Sequence, residues 1–324
     1  MNTIEPKPGL SNTFLGAVFG VFLFVLVQIF AAALNGNDVQ VIPTLTFDDT
    51  FFGFIGDFLG YFFTNLAGLI VLIATIICYI AATYFVQKSK AKAPKPEIIE
   101  HDTSGTLRGW IIGFTSGLNF VLAYNIYGEW FNETIGLIIA VILFALGILA
   151  TIKGISQNAF FQGVIGWLCW LAPMSWITLL LGLIFLVLSL IGGLLGLIGL
   201  DVAKIGGDDK TPSVDATVKD KSFTVDWETG TFFLIGGFVA NVNPEKTAFN
   251  MGNIGFIHRK ATADHRKHEA GHNLNLFVYG WIVHFIGAID ENIVGYGARA
   301  ITERMAESHD PGSSGTKARL EVWN

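Results

Sequence analysis

From about Ala263 the chain reads ADHRKHEAGHNLNLFVYGWIVHFIGAI, a helical pattern with a polar start and an apolar continuation. The polar start holds HEAGH, His268 to His272. Residues four apart lie on one face of a helix, so both imidazoles can reach one metal ion. A glutamate directly after the first histidine, Glu269, can then sit beside a metal-bound water. This HExxH spacing is a zinc-site pattern, so Zn2+ is the expected ion, and no other stretch carries comparable chemical information. The continuation, LNLFVYGWIVHFIGAI, is apolar enough to be buried or pressed on a membrane, with Gly280 and Gly287 as places where the helix can end or break.

Upstream of this helix the period changes. SFTVDW, TGTFFLIGGFVA and TAFNMGNIGFIH are rich in aromatic and β-branched residues, separated by turn chemistry at Glu228-Thr229-Gly230 and Asn243-Pro244-Glu245. Three short antiparallel strands are expected, with bulges at the glycines. Downstream, ARAITERMAESH (Ala298 to His309) predicts a second helix, stopped by Asp310-Pro311-Gly312.

Composition explains what surrounds this segment. Only 14% of residues are charged and 52% are hydrophobic, whereas soluble domains carry roughly 25% charged residues. The charge is unevenly spread: residues 1–200 hold 7 Lys/Arg and 10 Asp/Glu, and residues 201–324 hold the other 13 and 16. The chain therefore divides into a membrane half, residues 1–200, a polar linker, 201–222, a water-soluble domain, 223–312, and a tail, 313–324. A net charge of −6 gives no reason to expect nucleic acid as a partner. The two cysteines, Cys78 and Cys169, sit in apolar runs, so no disulfide framework or cysteine metal site is expected in the soluble part.

In the membrane half, Phe14 to Leu34 reads as a retained transmembrane helix. Phe51 to Val86 is too long for one straight span, and Asp57 with Gly56 and Gly60 places its start at the interface and the span at Leu66 to Val86. Lys88, Lys90, Lys92, Lys95 and Arg108 then place the next loop in the cytoplasm. Gly109 to Tyr127 and Ile135 to Ile152 follow as spans. Ala159 to Leu200 carries no charge and is long enough for two helices, broken around Pro173-Met174. The first of these is short enough to be re-entrant, and that parity sets the side of the C-terminal domain. Lys204, Lys210, Lys219 and Lys221 favour the cytoplasm. Gly16/Gly20, Gly113/Gly117 and Gly192/Gly196 permit close helix packing, within a bundle or between copies of the chain. No Lys, Arg, Asp or Glu lies mid-span, which argues against a secondary transporter.

A catalytic zinc needs a third protein ligand and an open position for water. His284 follows His272 by twelve residues, about 120° away on a continuous helix, and reads as a packed core histidine. His265, His258 and His309 are weaker candidates than two glutamates. Here the chain resembles the gluzincin metallopeptidases, in which HExxH supplies two histidines and a later helix supplies a glutamate. ERMAE, Glu303 to Glu307, looks like the ExxA-acidic motif of membrane-bound gluzincins, where the first glutamate binds zinc and the alanine makes room. GAIDE, Gly287 to Glu291, looks like the third-ligand segment of thermolysin-like enzymes. The resemblance covers roughly residues 248–310. It implies His268, His272 and Glu303, or alternatively Glu291, as zinc ligands and Glu269 as general base. Arg299, Arg304 or Tyr296 are then candidates for stabilising an oxyanion, and the strand before the helix is a candidate substrate edge.

The expected architecture is thus an α-helical integral membrane bundle of about six spans with a C-terminal α+β zincin-like domain. The expected activity is zinc-dependent hydrolysis of peptide bonds in membrane or membrane-proximal proteins. The competing expectation is a non-enzymatic membrane scaffold whose zinc domain binds a partner.

Overall fold

The computed structural model describes residues 11–36, 42–48, 50–90, 102–156, 158–197, 223–235, 248–257, 263–294 and 301–307. The expected linker and tail, and residues 91–101 of the basic loop, lie outside them. Among the described residues eight helices come first: α1 (Asn12–Leu34), α2 (Phe51–Phe63), α3 (Leu66–Lys90), α4 (Asp102–Trp130), α5 (Glu133–Leu149), α6 (Lys153–Ser156), α7 (Ala159–Leu168) and α8 (Trp176–Leu197). Strands β1 (Phe223–Asp226), β2 (Thr231–Ile235), β3 (Ala248–Met251) and β4 (Ile254–Ile257) follow, then α9 (Ala263–Ile289) and α10 (Ile301–Glu307). Four of the helices begin at a Ser, Thr or Asn whose side-chain oxygen accepts an otherwise unpaired backbone N–H. Ser11 caps Phe14 at 3.1 Å, Thr50 caps Gly53 at 3.2 Å, Asn132 caps Ile135 at 3.0 Å and Asn158 caps Phe161 at 3.1 Å.

Among the described residues, three segments are long and apolar enough to cross a membrane: Asn12–Leu34, Leu66–Phe85 and Pro173–Ile191. The expected break before Leu66 is present, because α2 stops at Phe63 and α3 starts at Leu66. Helices α2, α5 and α7 are apolar but have 13, 17 and 10 residues. At 1.5 Å per residue they rise about 20, 25 and 15 Å, against roughly 30 Å of hydrocarbon. The span expected to start at Ala159 therefore ends after one short helix, and a 3-10 turn at Pro173–Ser175 leads into α8. Helix α4 is long, at 29 residues, but it is the central helix and buries Ser104, Arg108, Thr115, Ser116 and Asn119.

Glycines set how α1 meets α4. A Cβ on Gly16 would lie 3.0 Å from the Thr106 Cα, and one on Gly20 would lie 2.8 Å from the Trp110 Cα. Further along, the Phe24 ring packs on Gly117. Rising numbers pair with rising numbers, so the two helices run parallel, backbone against backbone. The glycine spacings at Gly16/Gly20 and Gly113/Gly117 are thus used inside the chain.

The sheet corrects the expectation of three antiparallel strands. Four strands lie in the order β1-β2-β4-β3, and β2 pairs with β4 in parallel. The segment expected as one strand, TAFNMGNIGFIH, is a hairpin: β3 pairs antiparallel with β4, Met251 opposite Ile254. Gly252-Asn253 makes the turn, and the positive φ of Gly252, 67°, is the backbone conformation that glycine adopts without strain.

Helix α9 ties the two halves of the chain together. Leu274, Leu276, Phe277, Val278, Tyr279, Ile282 and Val283 are buried in one core with Phe58, Phe62, Tyr79, Ile111 and Leu118 of α2, α3 and α4. The Trp281 ring meets Phe62 edge-on at 5.3 Å, and Thr115 of α4 donates to the Tyr279 carbonyl at 3.0 Å. The segment expected to stand apart from the membrane half as a separate domain shares its core instead.

Candidate metal site

Helix α9 is broken at Gly280, whose φ of 74° and ψ of 174° are not helical. The half before the break carries His268, Glu269 and His272; the half after it carries His284. The first half is held from the sheet side. Asn250 of β3 donates to the Glu269 carbonyl at 3.1 Å, and the bare Cα of Gly255 in β4 leaves room for the Phe233 ring, with the Glu269 Cβ in ordinary contact beside it.

Helix α10 docks across both halves of α9 because a glycine in each lets it. A Cβ on Gly271 would lie 2.8 Å from the Ala306 Cα, and Gly287 faces Thr302 in the same way. Asn275 adds a bond from its amide to the Thr302 carbonyl at 3.3 Å. This close approach brings Glu303 to the histidines. Its Oε2 is 3.1 Å from the His268 Nε2 and its Oε1 is 3.3 Å from the His272 Nε2. The two Nε2 atoms are 3.2 Å apart. Four ligand atoms about 2.0–2.1 Å from a tetrahedral ion sit roughly 3.3–3.4 Å from one another. The contacts are close to that spacing, with the carboxylate reaching the two imidazoles through different oxygens, and one ligand atom from each residue lies within 4.8 Å of the other two. His268, His272 and Glu303 are the group of side chains that could hold a metal ion among the described residues.

Glu291, the alternative third ligand, is not in that group. It lies in the wide helical turn Asp290–Val294 that follows α9, where its carboxylate accepts from the Asn292 amide at 3.1 Å. Its neighbour Asp290 is buried and accepts from the Tyr79 hydroxyl at 2.9 Å. His284 is nearer the site than a continuous helix would allow. The break at Gly280 turns its ring toward His272, with ring centroids 6.0 Å apart. His258, His309, Tyr296 and Arg299 lie outside the described residues, as do the side chains of His265 and Arg304.

The electrostatics follow from burial. Glu269 is buried, and its Oε2 has no hydrogen-bond partner. Burial pushes its carboxyl above the usual range, against the pull of His272 and His268. Burial alone would also raise Glu303, but the His272 charge and hydrogen bonds from both imidazoles hold it well below its ordinary value. Burial would lower His272; the charge of Glu303 and its hydrogen bond outweigh this and raise it to about 9. For His284 burial comes first and the neighbouring His272 charge adds to it; together they outweigh the Asn250 backbone and the Glu303 charge and lower it to about 4.

Four asparagines frame the site, and the sequence reading missed them: Asn250, Asn253, Asn273 and Asn275, all buried. Asn253 donates to the carbonyls of Gly166 at 2.9 Å and Gly230 at 3.2 Å, and Asn273 to that of Thr229 at 3.2 Å. The available signal was an amide recurring within and beside apolar runs, as in HNLNLF, where a buried amide must find partners.

Compared with known proteins, the chain matches no family model, no curated protein and no solved structure.

Proposed function

We propose that the protein is a multi-pass membrane zinc hydrolase that cleaves peptide bonds of membrane or membrane-proximal proteins. The observation carrying this reading is the triangle of His268, His272 and Glu303, with contacts of 3.1–3.3 Å, set beside a buried, unpartnered Glu269 carboxyl oxygen. When bound, zinc would polarise both a water molecule and the scissile carbonyl. The protein's own groups do the rest. His268, His272 and Glu303 would hold the ion. Glu269 takes the proton from the attacking water as its oxygen adds to the carbonyl carbon. It returns that proton to the nitrogen as the C–N bond breaks. A carboxyl raised by burial is a stronger proton acceptor than an ordinary carboxylate, as this role requires. β3 is an outer strand of the described sheet and lies next to α9, so its edge is where an extended substrate would add as a further strand.

For topology we read α1, α3, α4, α5 and α8 as crossing the bilayer, with α7 and the turn after it making a sixth, shorter passage between α5 and α8. Helix α5 returns to the side where α1 begins, since Ser11 donates to the Thr151 carbonyl at 3.4 Å. The turn after α7 reaches the far end of α4, where Tyr127 donates to the Leu171 carbonyl at 2.7 Å and Trp176 stacks on Trp130 at 5.8 Å. Helix α8 then returns, which leaves the C-terminal segment on the lysine-rich, cytoplasmic side.

Purified full-length protein should contain about one zinc per chain. Glu269→Gln should keep that zinc and abolish cleavage of co-reconstituted membrane proteins. Retained zinc with cleavage absent in both forms would favour the scaffold reading, in which the metal only stabilises a partner-binding surface.

A further inference from the structure

The contacts of the site fix its depth along the bundle, by two separate routes. The first runs through α1 and α4. The middle residue of the apolar segment Asn12–Leu34 is Leu23. Its neighbour Phe24 packs on Gly117. Two residues away, Thr115 donates to the Tyr279 carbonyl. Tyr279 therefore lies within a few ångströms of the level at which α1 is half-way across. His272 precedes Tyr279 by seven residues, at most about 10 Å of helix axis, and half of the hydrocarbon layer is about 15 Å.

The second route runs through α8. Gly182 is the middle residue of Pro173–Ile191. The Met251 carbonyl of β3 lies against its bare Cα. The next residue back, Asn250, is hydrogen-bonded to the carbonyl of Glu269. Phe249 and Phe256 pack on Phe185 of α8 in the same region. One contact, one peptide unit and one hydrogen bond join the middle of α8 to the residue between the two histidines.

Irregular backbone at membrane depth persists only where protein or a water-filled cavity satisfies its polar groups. The turn between β1 and β2 meets that condition: Trp167 donates to the Trp227 carbonyl at 3.0 Å, Asn273 to that of Thr229 at 3.2 Å, and Trp170 to that of Gly230 at 3.0 Å. Lys267 and Glu228, both exposed, require water on the open side of the site.

We propose that the site works in a hydrated recess near the middle of the bilayer, and that its substrate is a membrane-spanning segment of another protein, cut within its apolar stretch. This rests on the hydrolase reading above and names its substrate class. The segment must unwind to pair with β3, so a helix-weakening pair at the cut is part of the recognition.

Two measurements on the full chain in liposomes test this. In the first, Cu2+ replaces zinc and speeds the relaxation of nitroxides carried on lipids at the headgroup, the upper acyl chain or the chain end. Acyl-chain nitroxides should respond most, and the response should vanish in His268→Gln. A strongest response at the headgroup overturns the depth. In the second, a synthetic single-span peptide, leucine- and alanine-rich with a Gly-Pro pair at its midpoint, is offered beside a water-soluble peptide of the same flanking sequence. Wild type should cut within the apolar stretch, and Glu269→Gln should not. Cleavage only in the flanks or only of the soluble peptide overturns the substrate class and leaves the hydrolase standing. A chain that binds no metal ends both readings.

Discussion

At the scale of the residue, the site turns on one carboxylate reaching two imidazoles. Glu303→Gln removes the charge that holds His272 high and one corner of the shell. Its zinc content should fall from about one per chain to a small fraction. Glu291→Gln should leave zinc content unchanged, because that side chain stands in the turn after α9 with Asn292. Equal loss in the two variants would contradict the assignment of Glu303. The two histidines also set opposing pH limits on the metal-free protein. His284 is held near 4, below its ordinary 6.5, so its contribution to stability is full above 6.5 and is lost as the pH falls toward 4. His272 is raised to about 9, so its contribution is full below 6.5 and is lost as the pH rises through 9. These two histidines by themselves place the maximum unfolding temperature of the metal-free protein in detergent near pH 6.5, and the raised Glu269, whose contribution is lost as the pH rises, shifts it to lower pH. His284→Gln should flatten the acid limb alone. A profile that rises steadily from pH 4 to 9 would contradict the pair.

At the scale of the element, two helices must touch at the backbone for the site to exist. Gly271→Ala places a methyl group 2.8 Å from the Ala306 Cα. The strain should cost about 1–3 kcal/mol and push α10 outward. Both the unfolding temperature and zinc affinity should drop. Gly56→Ala in α2 is the matching control, since nothing lies within 4 Å of its added Cβ. A drop of the same size in both would remove the role given to Gly271. The elements also show where sequence was a good guide and where it was not. HEAGH and ERMAE were legible because each is a short local pattern, and the structure brings His268, His272 and Glu303 together. The position of His284 was not, because a helical period carries no warning that Gly280 adopts a φ of 74°. The parallel pairing of β2 with β4 was also hidden. Strand patterns show which residues alternate, and partner choice depends on contacts distant in the chain.

At the scale of the whole molecule, charge density suggested a division near residue 200, and the packing joins the two sides. Charge reports where a surface meets water; it does not report which core a helix enters. The apolar half of α9 is covered by α2, α3 and α4. A fragment starting at residue 201 would expose that face, and it should be insoluble or aggregated and bind no zinc at the affinity of the full chain. A soluble, monomeric fragment with full affinity would contradict the shared core. The close contact of α1 with α4 makes a similar demand. Gly16→Val sets a branched side chain against the Thr106 backbone, and it should lower the yield of folded protein in detergent more than Val18→Ala, whose side chain is 50% exposed.

The shared core also has a consequence for biosynthesis. The ribosome delivers α1 to α8 first, and the apolar half of α9 reaches its place among them only after another 80 or so residues have been made. Until then the groove between α3 and α4 lacks its filling, and the nascent bundle exposes the surfaces of Tyr79, Ile111 and Thr115 that α9 later covers. Glu303 arrives last of all. The chain therefore cannot assemble its candidate metal shell while the bundle is still incomplete, and any hydrolytic capacity appears only once every earlier helix has been laid down.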